Sequence, residues 1–134
     1  MPTPEHGELQ DYIGQLLEAT RSGLIQWKAA NPTTFTWDSP NSPGTPRGRL
    51  ALQRLERTEV GLDQQNRAKV NKIPYYIFQA FELEGSSYVQ RININTSEDT
   101  TFHPLIEQLY ELIRSGISRK ALDFLKNVIP HPSK

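Results

Sequence analysis

The sequence predicts an α+β fold: an N-terminal helix, a mainly antiparallel sheet of about four strands, and one or two C-terminal helices packed on one sheet face. Three observations predict it. Leu9, Tyr12, Ile13, Leu16, Leu17 and Thr20 recur at helical spacing near the start, giving one apolar stripe. Leu105, Ile106, Leu109, Leu112 and Ile113 do the same near the end. Between them, residues 73–95 hold two runs that alternate at period two. Tyr75, Ile77, Phe81 and Leu83 form the first, with Tyr76, Phe78 and Ala80 on its other face; Tyr88, Ile92 and Ile94 form the second. Joined across Gly85, they read as a β-hairpin.

Residues 1–7 are polar and Pro-rich and are expected to be a flexible tail. A helix then runs from Glu8 to about Ser22, with Glu8 and Asp11 near its start and Arg21 in its last turn, as the helix dipole favours. Gly14 is a weak helix former inside it. Gly23 closes it, and Leu24 and Ile25 supply the apolar contact that accompanies a glycine cap. Trp27 is expected to pack against that helix end. After Asn31-Pro32, the β-branched and aromatic Thr33–Trp37 reads as a short strand.

Residues 38–48 hold three prolines and two glycines, which remove amide donors and fix dihedrals, so an exposed loop is expected. Arg49–Val60 is read as a strand, although Leu52 and Leu55 also fit a helix. Residues 61–72 are dominated by polar side chains and read as a second exposed loop. After the hairpin, Pro104 suits a first helical turn. Gly116 is expected to end that helix, with Ser118 capping a third that carries Ala121, Leu122, Leu125 and Val128 on one face. Residues 130–134 are expected to form a flexible tail. Residues 1–134 are expected to form a single domain.

Composition narrows the chemistry. Fifteen Lys and Arg balance fifteen Asp and Glu, so no global field draws nucleic acid or an anionic membrane. Zero cysteines remove disulfides, thiolate nucleophiles and Cys-based zinc sites. The N-terminus has neither a basic nor an apolar leader segment. No apolar run reaches the roughly 20 residues of a membrane helix. A cytoplasmic protein without membrane contact is expected.

No catalytic signature emerges. His6, His103 and His131 are isolated, without metal-site spacing, and no metal or cofactor is expected. Glu82 and Glu84 share a strand face as a paired acid site would, but a solvated edge explains them as well. Gly44-Thr45-Pro46-Arg47-Gly48 lacks the lysine of a phosphate loop, and its proline removes a donor.

Two surfaces remain as candidates. Helices at both chain ends can cover one sheet face, so the other face or an edge is left for a protein partner or self-association. Trp37, Tyr75, Tyr76 and Phe78 are the candidate contact residues. The alternative is nucleic acid bound by Arg47, Arg49, Arg54, Arg57, Arg67, Lys69 and Lys72, which outnumber the acids of residues 45–72 by seven to three.

The segment Leu16–Trp27 resembles the opening of a group of small, mostly uncharacterised bacterial proteins, in which a helix ends Leu-Leu-x-Ala-Thr-x-x-Gly-x-Ile-x-Trp. Leu109-Tyr110-Glu111-Leu112-Ile113 is similar to the helix that closes their unit. The resemblance spans about residues 9–115. It implies a helix–meander–helix unit in an accessory or adaptor role, with no catalytic residues to carry over. The missing catalytic constellation leads separately to the expectation of a non-enzymatic interaction module, either homodimeric or an accessory subunit of a bacterial complex.

Overall fold

The structure, a computed structural model, describes residues 4–130. Helix α1 (Pro4–Arg21) leads into five strands, β1 (Lys28–Asn31), β2 (Thr34–Asp38), β3 (Gly48–Leu62), β4 (Ala68–Glu84) and β5 (Ser87–Asn95). A single 3-10 turn (Thr100–Phe102) then starts helix α2 (His103–Val128). The strands lie in sequence order as one antiparallel meander, so the expected α+β class holds with five strands in place of four.

Residues 4–7, expected in the tail, belong to α1. His6 anchors them by stacking on Phe102, with ring centroids 4.5 Å apart. The rest of that tail, and residues 131–134 with His131, lie outside the described residues. At its other end α1 closes as expected. Gly23 takes φ +84°, a left-handed conformation that glycine adopts without a Cβ penalty. The Leu24 amide then donates back to the Ala19 carbonyl at 2.9 Å, satisfying a terminal acceptor. Trp27 is buried beneath that end and donates its indole N–H to Thr20 Oγ1 at 3.0 Å.

The pleat assigns every strand residue to a face. Phe35 pairs with Leu52, Leu52 with Phe78, and Phe78 with Ile94, which puts these four on one face together with Tyr76. All five are buried in one cluster with Ile13 and Leu17 of α1 and Ile106, Leu109, Tyr110 and Ile113 of α2. Both helices therefore cover the same face. The ring of Tyr110 packs on Phe35 and Tyr76 at centroid distances of 5.0 and 5.3 Å.

Two further expectations are corrected, and one strand is added. Residues 61–72 are not a loop. β3 runs to Leu62 and β4 begins at Ala68, so only residues 63–67 turn the chain, with Asn66 left-handed at φ 60°. Asp63 Oδ1 accepts the amides of Gln65 and Arg67 and holds that turn. Residues 28–31, not read as structure, form edge strand β1 through their pairing with β2. Gly116 does not end a helix: α2 continues to Val128. A helical glycine costs about 1 kcal/mol, less than stranding the carbonyls of a premature terminus.

The candidate site: an uncovered sheet face

Among the described residues, no element packs as a layer on the face turned away from the helices. In an antiparallel sheet with one solvated side, the outward residues of each strand are ordinarily polar. Here β4 presents Ile73, Tyr75, Ile77, Phe81 and Leu83 outward, beside Leu55 and Ala51 of β3. All are only half-buried, shielded among the described residues by their strand neighbours. Gln53, Gln79, Gln90, Asn93 and Thr36 border them. Toward one end, the Arg49 guanidinium lies 4.9 Å from the Tyr88 ring centre while bonded to Asp38 at 2.7 Å.

Of the four aromatic residues expected at a partner surface, Tyr75 alone lies on this face. Tyr76 and Phe78 are corrected: at 1% and 3% exposure they are core, since the pleat turns them toward Leu52 and the helices. Trp37 shares their face and packs at the margin of the core. It is half-buried and lines an open groove of about 350 Å³ with Arg47, Leu50, Ala80 and Arg91. Ile73, Ile77, Phe81 and Leu83 complete the outward set. Their period-two spacing groups them with Tyr75, but spacing cannot say which group the helices cover.

The seven basic residues do not converge. They run the full length of the β3–β4 hairpin, from Arg47 at one end to Arg67 and Lys69 at the turn. Along the fifteen residues of β3 that is roughly 45 Å. Four of them face carboxylates: Arg49 with Asp38, Arg54 with Glu56, Arg57 with Glu59 and Arg67 with Asp63.

Titratable groups elsewhere are built into the fold. Glu82 and Glu84 both bond Arg91, the former at 2.9 Å, so one guanidinium holds the pair. His103 Nδ1 lies 3.2 Å from Thr96 Oγ1, and its Nε2 is 3.5 Å from Glu107. Thr96 is itself buried, accepting the Tyr76 amide at 2.9 Å and donating its own amide to the Tyr76 carbonyl at 2.9 Å. This ties the end of the sheet to the start of α2. Burial raises the Tyr76 phenol above the usual tyrosine value, and Glu107 adds to the shift while Arg54 opposes it. Burial likewise raises Tyr110. Among the described residues, no group of three or more His, Asp or Glu is placed to hold a metal ion. No described helix is long and apolar enough to cross a membrane.

Comparison with family models, with curated proteins and with solved structures finds no match for this chain. The two segments Leu16–Trp27 and 109–113 each have a structural role here. Leu16–Trp27 is the glycine-capped end of α1 with its buried tryptophan, and residues 109–113 are the part of α2 that packs on the sheet.

Proposed function

We propose that this protein is a non-enzymatic interaction module, an accessory or adaptor subunit of the cytoplasm, that binds a protein partner on its uncovered sheet face. One observation carries the reading: β4 is apolar on both faces, and the fold covers only one. Contiguous exposed apolar surface of this kind is the usual mark of an interaction site. Tyr75 and Phe81 supply the large, stiff aromatic area that dominates binding at such sites. The bordering amides and threonines supply a polar rim.

The test is affinity purification from native cells with the wild-type chain, a Tyr75→Glu variant and a Lys72→Glu control. A protein recovered with wild type and control, and lost with Tyr75→Glu, supports the reading. Recovery that ignores Tyr75→Glu, or no recovery, overturns it. Nucleic-acid binding makes the opposite prediction: affinity for a single-stranded oligonucleotide that falls steeply with salt and weakens with Lys72→Glu.

A further inference from the structure

A second uncovered surface lies on α2. Ile106, Leu109, Tyr110 and Ile113 form its buried stripe. Ile117, Ala121, Phe124 and Val128 continue that stripe at the same helical spacing. The first half of the stripe crosses the sheet, passing Phe35 of β2 at Tyr110. Lys120 reaches Gln26, just before edge strand β1, at 3.0 Å. Past that point the sheet ends and the helix does not. Residues 121–129 are all exposed, Phe124 at 64% and Val128 at 56%. Beside the start of this overhang is an open, mainly apolar groove of about 370 Å³, lined by Ile25, Gln26, Trp27, Ile113, Gly116 and Ile117.

We propose that the overhang is a homodimer contact, in which the α2 tails of two copies pair antiparallel about a two-fold axis. A two-fold contact must be self-complementary, and this stripe is. Centred between Leu122 and Asp123, Ile117 meets Val128 of the second copy, and Ala121 meets its Phe124, small against large. Lys120 and Asp123 share one flank, and an antiparallel pairing brings each near the other's counterpart, an ion pair made twice. The same register carries the end of the second copy's α2, with Ile129, to the groove beside Trp27. Each copy thus fills the groove of the other.

The exposed area favours a second copy. The chain exposes 9711 Å², against about 7,100 Å² for a compact monomer of its 15.3 kDa. That excess is shared among the uncovered sheet face, the β3–β4 hairpin and this overhang. A standard interface takes about 800 Å² from each partner. The zero net charge means that two copies meet without long-range repulsion. This contact is independent of the sheet-face reading and leaves that face free.

Sedimentation velocity and a cysteine pair test the proposal together. The wild-type chain is expected at twice 15.3 kDa and Phe124→Asp at the monomer mass with an unchanged circular dichroism spectrum, while Tyr75→Glu stays dimeric. In this cysteine-free chain, the double variant I117C/V128C is expected to give a disulfide-linked dimer on oxidation. The positions are roughly 16 Å apart within one helix, so the link forms only between copies, and neither single variant forms it. A monomeric wild type, a dimer that survives Phe124→Asp, a dimer dissociated by Tyr75→Glu, or a double variant that fails to cross-link would each overturn it.

Discussion

At the scale of single residues, Thr96, Gly48 and Gly14 each test a different feature of the fold. Thr96 accepts the buried Tyr76 amide, so Thr96→Val keeps the shape and orphans a donor. A loss of about 1–3 kcal/mol is expected in urea unfolding. Gly48 is set by space: an added Cβ would lie 2.6 Å from the Phe81 carbonyl oxygen. Gly48→Ala should cost about 1–3 kcal/mol. Gly14→Ala, in a helix with nothing within 4 Å of the new methyl, should instead gain about 1 kcal/mol. If Gly48→Ala melts at or above the wild-type temperature in thermal scans, the backbone approach at Gly48 is wrong. The tyrosines give a pH dependence. Tyr76 and Tyr110 titrate above their ordinary value in the fold, so the native state holds protons that the unfolded chain releases near pH 10. Their contribution is whole below pH 10 and is lost as pH rises through the folded values. Melting temperature should fall as pH rises above about 10, and Tyr76→Phe with Tyr110→Phe should flatten the fall. None of these contacts shows in the sequence, where Tyr75 and Tyr76 are equivalent letters; only the pleat and the helices separate them.

At the scale of elements, the β3–β4 hairpin behaves as two different objects. From Gly48 to Gln53, β3 is bonded by β2 on one side and β4 on the other. β4 is bonded by both β3 and β5 from Ile77 onward. Outward from Leu55 and Tyr75 only two strands remain, an arm about 25 Å long. Val60, Leu62 and Val70 are exposed on it. A two-stranded ribbon without a buried face is only marginally stable by itself. Amide exchange should therefore be much faster at residues 58–70 than at 50–53 and 77–80, and equal protection would show that the arm is covered in solution. This arm is also where the sequence misleads. Its Val60/Leu62 and Ala68/Val70 alternation is present, but with no buried face it is diluted by charge and reads as a loop. β1 fails for another reason: Lys-Ala-Ala-Asn has no strand propensity, and its strand exists because β2 pairs with it. The glycine-capped end of α1 is legible because capping is local, whereas its start at Pro4 is not, because His6 is held there by a distant Phe102; the continuity of α2 through Gly116 is hidden too, since glycine there is a cost and not a stop.

At the scale of the whole molecule, one arrangement explains both candidate surfaces. Two helices that run side by side cover one face of a five-stranded sheet, so the opposite face stays open and the longer helix overruns the sheet edge. The sequence announces each apolar stripe but not the length mismatch, because a stripe has no knowledge of where its cover stops. That mismatch makes stability depend on association. If α2 tails pair, folding and dimerisation are linked, and the melting temperature rises with chain concentration by mass action. A monomeric fold melts at one temperature at every concentration. Scans over a hundredfold range of wild-type protein should show the rise, and Phe124→Asp should remove it. The variant loses no intramolecular packing at a side chain that is 64% exposed, so its melt should match the wild type's at the most dilute end. Should both chains melt identically at every concentration, the stability of this fold owes nothing to its overhang.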